Sequence, residues 1–350
     1  MLMNQQFQSA SAEIAPELDP AVPDRPGAGA AAVPVEDFAP VDLSASVPPE
    51  EASASRSLTP RLAIVLILLQ SVIYGFGDPI TKDALSVTPV YALLSVRYLL
   101  ALALLFLFGG KRIVAGMRNC RIRDWIGPAL CIAVAHLTGN VALQFSAATS
   151  TAFLRSLSTV MTPLLVLVLF RRKYSRKHIP IQILVVVGLY LLCGLGGLTG
   201  FGIGEVLALL TALLLAGSLV LGQESLARMD ALTLSTVQTL AAAVLSVIFA
   251  LFVDGGWSCL STATPQVWAV IVYLAVTCTI GGFLLQNAAL TAVSARTVAL
   301  VQCLCPVMTA LFSFFMLGER LSTPGLVGAV LIVACVAAES LLPEDGPCNP

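Results

Sequence analysis

The chain predicts an all-α membrane protein of ten transmembrane helices, arranged as two inverted five-helix repeats. Three observations predict it. Hydrophobic residues make up 57% of the 350 positions and charged residues 11%, whereas about a quarter of a soluble domain is charged. The apolar residues fall into blocks of about 20, the length of helix that crosses a hydrocarbon layer of about 30 Å. One segment is also written twice. Slid by 147 positions without a gap, ten of the 25 pairs between 140–164 and 287–311 are identical, among them Asn140/Asn287, Met161/Met308 and Thr162/Thr309. A duplicated unit in a membrane chain marks many transporters, with the substrate site between the copies.

Residues 1–57 come first, with nine acidic side chains against Arg25 and Arg56. Rich in Ala, Pro, Ser and Glu, this stretch reads as a disordered tail, a passive extension, because it cannot bury enough apolar surface to fold. It has no basic region leading into an apolar stretch, so it is not read as a secretory signal. The ten blocks follow at roughly 61–81, 89–108, 124–145, 150–170, 180–199, 202–222, 231–253, 266–287, 294–317 and 323–342. Continuous apolar runs argue against a β-barrel, whose strands alternate. The domain reading is a first repeat over 58–199, a second over 200–342 and a short tail at 343–350.

Basic residues orient the bundle. The second-to-third connection holds Lys111, Arg112, Arg118, Arg121 and Arg123, and the fourth-to-fifth holds Arg171, Arg172, Lys173, Arg176 and Lys177. The loops on the other side hold only Lys82 and Arg320. The positive-inside bias then puts both termini in the cytoplasm. Each copy has five helices, an odd number, so the second must enter upside down. Positions 171–178 (RRKYSRKH) align with 318–325 (GERLSTPG), and inversion explains why only the first is strongly basic. The second and seventh spans match at offset 141, through Leu93/Leu234, Val96/Val237, Leu99/Leu240 and Ala101/Ala242.

Tyr74-Gly75 followed by Lys82, Arg97 in the second span, Pro306 in the ninth, and Gly318-Glu319-Arg320-Leu321 followed by Gly325 and Gly328 occur in that order. With these residues the chain resembles the EamA-type transporters of the drug/metabolite transporter superfamily over about 61–341. The first copy departs in having Arg171-Arg172 where the family often repeats Gly-Glu, and Thr159 where Pro306 stands in the second. The resemblance implies a secondary transporter moving a small metabolite, an amino acid or similar polar or anionic solute, by alternating access and as an exporter. A lipid-intermediate flippase of the same architecture is the open alternative.

Ionisable groups inside a bilayer cost about 2.5–3.5 kcal/mol each on insertion scales, so each one invites a functional reading. In the fourth span Thr151, Arg155, Ser158 and Thr162 share one helix face, and Gln302 is the ninth-span counterpart of Arg155. Both stripes are expected to line a central cavity, where Arg155 could meet a carboxylate or phosphate bidentately; snorkelling to an interface is the bland alternative. The third span offers His136, Asn140 and Gln144, and the eighth Gln286 and Asn287. The two equivalent Asn residues suit a helix–helix hydrogen bond or a pair across the two-fold axis. His136 suits a proton carrier or a packing residue. Gln70, Tyr74 and Asp78 recur at one-turn intervals in the first span, where Gly75, Gly77 and Pro79 are expected to break the helix beside a binding group. Asp78 is the candidate proton carrier, unless it lies at the helix end facing water. Arg97 reads as structural, orienting or paired with an acid.

Other chemistries find no support. Gly75-Phe76-Gly77-Asp78 spells the string of intramembrane aspartyl proteases, but no second span carries the partner carboxylate such a dyad needs. G-x-S-x-G, H-E-x-x-H and the P-loop are missing from the sequence. The nine cysteines include no C-x-x-C and read as small apolar residues. The expectation is a non-enzyme with no cofactor, no metal and no nucleic-acid partner. It resides in a plasma membrane of bacterial type, its partners being the bilayer, the solute, protons and a second copy as a homodimer.

Overall fold

The computed structural model describes residues 58–146, 148–170, 179–194, 202–317 and 322–341. The acidic tail, the 171–178 loop, Gly318-Glu319-Arg320-Leu321 and the C-terminal tail lie outside them. The described residues form a bundle of ten helical elements: α1 (Pro60–Leu85), α2 (Val90–Asn119), α3 (Ile122–Phe145), α4 (Ala148–Ser156, then Ser158–Phe170), α5 (Ile179–Leu189 with a wider turn Tyr190–Gly194), α6 (Ile203–Ser225), α7 (Ala231–Phe252), α8 (Pro265–Leu290), α9 (Ala295–Val301, then Leu304–Leu317) and α10 (Thr323–Leu341). Eight are long and apolar enough to cross a membrane unaided; the apolar stretches of α5 and α10 are shorter.

Local chemistry sets the helix starts. Thr59 caps α1 by accepting from Leu62 N at 3.4 Å, with Pro60 in the first position, where it needs no donor. Asp124 accepts from Arg121 N at 3.0 Å, and Glu205 from Gly202 N at 2.9 Å, so α3 and α6 start alike. Ser294 caps α9 through Thr297 N at 3.2 Å. These bonds satisfy donors that have no partner within a helix.

The helix pairings obey a two-fold exchange of the halves. α1 packs on α9 as α6 packs on α4, and α3 packs on α6 as α8 packs on α1. α2 meets its own counterpart α7, and α5 meets α10. The α2–α7 crossing is antiparallel: Ala92 N at the start of α2 donates to Asp254 Oδ2 at 2.8 Å, beyond the end of α7, while Gly116 near the end of α2 faces Thr233 at the start of α7. α4 and α9 cross on the axis itself, since Cys303 Sγ lies 3.9 Å from the carbonyl oxygen of Ser156, its counterpart at offset 147. The chain is thus a multi-pass membrane protein built from two inverted repeats.

Three details differ from the sequence expectation. α1 does not break: Pro79 lies inside a continuous helix, as membrane helices allow when neighbours supply polar contacts. Its glycines serve packing instead. A Cβ on Gly75 would collide with Met308 Cβ, and one on Gly77 would stand 2.9 Å from Cys278 Sγ. The breaks fall in α4 at Leu157 and in α9 at Gln302 and Cys303, nearly equivalent positions of the two copies. α8 carries a wide π-turn over Leu274–Gly281. Finally, α2 runs on to Asn119, so Lys111, Arg112 and Arg118 ride its last turns rather than a loop. The apolar block ended where the side chains turned polar, but backbone hydrogen bonding continued past it.

Candidate functional site

A chamber lies where the halves meet, walled by α1, α3 and α4 of one repeat and α6, α8 and α9 of the other. It holds about 680 Å³ of empty space, its open mouth included. Ile132, Leu215, Leu219, Ala152 and Ala299 form apolar walls. The polar groups gather in two places. Towards the far ends of α1 and α3, Arg155 Nη1 and Asp78 Oδ1 form an ion pair at 3.3 Å. Towards the opposite end of the bundle, Gln302 Nε2 donates to Gln70 Oε1 and to Gln286 Oε1, both at 2.9 Å. Gln70 Nε2 in turn donates to Gly282 O at 2.9 Å. Arg155 and Gln302, one per copy, therefore reach the same void from the two broken helices.

Breaking α4 and α9 here has a physical use. An interrupted helix turns side chains and unpaired backbone groups towards a cavity, which membrane proteins tolerate only where protein or water replaces lipid. The Asp78–Arg155 pair is about one-fifth exposed on each side, so both charges sit away from lipid yet can be reached from the chamber. The sequence had raised the two residues separately; the packing of α1 on α4 makes them partners.

Of the predicted site residues, Tyr74, Asp78, His136, Arg155, Ser158, Gln286 and Gln302 line this chamber. The His136 ring packs edge-on against Phe283, with centroids 5.3 Å apart, and faces Tyr98 at 6.1 Å. Asn140 opens instead onto an adjoining polar cleft, with its Nδ2 donating to His136 O at 2.7 Å. Two other candidates stand off the chamber. Thr162 is fully buried off the chamber, and its hydroxyl donates to Ser158 O at 2.7 Å, one turn back. Asn287 faces α7, donating to Ser235 Oγ at 2.9 Å and Gln238 Oε1 at 2.7 Å, so it joins helices as a buried amide should. Gln144 is exposed.

Cys305, which flanks Gln302 in the ninth-span stripe, also borders the chamber, as do Ser156 and Pro306, which sequence reasoning did not place there. Position in the repeat could have found Ser156, the counterpart of Cys303 on the axis. Arg97 was read as structural or paired with an acid. It is 4% exposed and its Nε donates to Thr279 Oγ1 at 2.8 Å, in the π-turn of α8. Among the described residues no carboxylate lies within 4.0 Å of it.

Inverted repeats, broken helices on the axis and a mixed polar and apolar chamber between the halves define a multi-pass membrane transporter. The chain matches the EamA-like transporter family twice, over residues 61–194 and 202–338, and belongs to that family. Two proteins of Archaeoglobus fulgidus, each named an uncharacterized transporter, are similar to it. One is 24% identical over 278 residues, covering 79% of this chain and 84% of the relative. The other is 27% identical over 200 residues, covering 56% and 68%. A solved crystal structure shares the fold at 18% identity and a TM-score of 0.66, covering 79% of this chain and 96% of that one.

Proposed function

We propose that the protein exports a small polar or anionic metabolite, an amino acid or similar solute, across the cell membrane by alternating access. Its termini are cytoplasmic, and the halves 58–199 and 200–342 rock about the α4–α9 crossing. The observation that carries this reading is the chamber itself, which receives Arg155 and Gln302 from equivalent helices of the two copies. The Asp78–Arg155 pair and the Gln70–Gln286–Gln302 cluster bracket it from opposite ends and would act as the two gates. A proton taken by Asp78 on release from Arg155 would couple opening to the proton gradient.

The test is a comparison of metabolites inside and outside cells that express the protein, cells that lack it and cells carrying Arg155→Ala. Export predicts one solute class depleted inside and enriched outside only with the intact protein. Accumulation inside would reverse the direction, and an unchanged profile across a broad screen would reject the reading. A variant Arg155→Ala that exports at the full rate would remove that side chain from the site.

A further inference from the structure

We propose that the cleft where α1, α2 and α3 meet α4 and α8 is a carboxylate-binding subsite, with Arg97 as its anchor, that holds the anionic end of the transported solute. This deepens the reading above and rests on the same chamber. The cleft is lined by Arg97 and Asn140, with Tyr74, Asp78, His136 and Arg155 shared between it and the chamber. A solute can therefore place its apolar body in the chamber and one end in the cleft.

Charge is the first argument. Two guanidinium groups, Arg97 and Arg155, face the cleft against one carboxylate, Asp78. Asp78 pairs with Arg155 at 3.3 Å, so Arg97, nine-tenths buried and 5.1 Å from the centroid of the Tyr98 ring, has no carboxylate partner among the described residues. A buried charge without an ionic partner is unfavourable in a low-dielectric interior, and a bound anion relieves that penalty. One excess positive charge suits a monoanion; a phosphate dianion would overshoot. The Nε bond to Thr279 fixes the guanidinium plane and leaves its terminal nitrogens for the two oxygens of a carboxylate.

The repeat supplies the second argument. At offset 141 the counterpart of Arg97 is Gln238, and at offset 147 that of Asn140 is Asn287. In the second copy these counterparts bond directly, Asn287 Nδ2 to Gln238 Oε1 at 2.7 Å, and both are buried. In the first copy Asn140 turns to its own helix, and a cleft of about 360 Å³, its opening included, stands between. One copy has closed the contact into a structural bond; the other has put a cation there and left room for a ligand.

The experiment follows the melting temperature of the full-length purified protein in detergent at constant ionic strength held with sodium chloride. The probes are sodium benzoate and its neutral isostere benzamide. The expectation is a saturable rise of roughly 3 °C or more with benzoate and none with benzamide. Arg97→Gln, which copies the second repeat, should weaken the benzoate effect at least about tenfold. Asn140→Asp, which supplies the anion from within, should melt higher and lose the benzoate response. Should Arg97→Gln fail to fold, Asn140→Asp and the benzoate–benzamide comparison still decide. An equal response to benzamide, an equal saturable response to added chloride, or benzoate responses retained in both variants would overturn the subsite. If benzoate binds through Arg97 but cells export nothing, the transport reading fails and the subsite stands. If wild type exports a neutral solute and ignores benzoate, the subsite fails and the transport reading stands.

Discussion

At the residue scale, the central feature is that two ionisable side chains that would each be unfavourable in a bilayer are made tolerable by one another. Asp78 and Arg155 lie 77 positions apart and meet at 3.3 Å. Removing one partner leaves the other without compensation in a poorly solvated place, whereas removing both leaves a neutral chamber. Asp78→Asn and Arg155→Gln are each expected to lower stability by roughly 1–3 kcal/mol, with the double variant recovering most of that loss. Transport should stay absent in all three. Melting curves in detergent check the first statement and an export assay the second; additive losses in the double variant would show that the pair is not coupled. By the same logic Asn287 and Thr162 serve packing, since each spends its hydrogen bonds on neighbouring helix groups.

At the element scale, helix contacts without a hydrophobic driving force depend on close approach, and glycine allows it. Gly75 lets α1 touch α9, where a Cβ would come within 2.9 Å of the Met308 and Thr309 backbone. Gly328 does the same for α10 on α5, where a Cβ would come within 2.6 Å of Leu192 N. Gly75→Ala and Gly328→Ala are expected to destabilise by about 1–3 kcal/mol each, because backbone cannot give way as a side chain can. Gly110→Ala, on α2, would meet nothing nearer than Phe106 Cδ1 at 3.9 Å. It should be neutral or stabilising by up to about 1 kcal/mol, from helix propensity alone. Melting temperatures of the three variants check this contrast, and a loss at Gly110 equal to that at Gly75 would reject it. The π-turn in α8 is a second device of this scale: its wider backbone brings Thr279 to Arg97.

At the scale of the whole molecule, inversion makes a topological prediction. With the basic residues of the α2–α3 connection facing the cytoplasm, the C-terminus faces it too, and the α7–α8 connection near Trp257 faces out. Alkaline phosphatase fused after Pro350 should be inactive and a green fluorescent protein there should fluoresce. Phosphatase inserted near Ser258 should be active. The opposite pattern would turn the molecule over and reject the cytoplasmic placement of the termini.

Class, repeat and inversion were legible along the chain because each rests on one-dimensional facts: block length against bilayer thickness, an ungapped offset of 147, and Lys/Arg counts in alternate loops. Helical period also put Arg155 and Ser158 on one face, and both border the chamber, whereas Thr151 of the same stripe is fully buried and off its lining. What periodicity cannot tell is which neighbour a face meets. Packing alone joined Asp78 to Arg155, turned Asn287 towards α7, moved the break from α1 to α4 and α9, and left Arg97 beside a cleft while its counterpart Gln238 was bonded shut. Those outcomes depend on interhelical distances of a few ångströms, which are set by every contact in the bundle at once and written in no single segment of it.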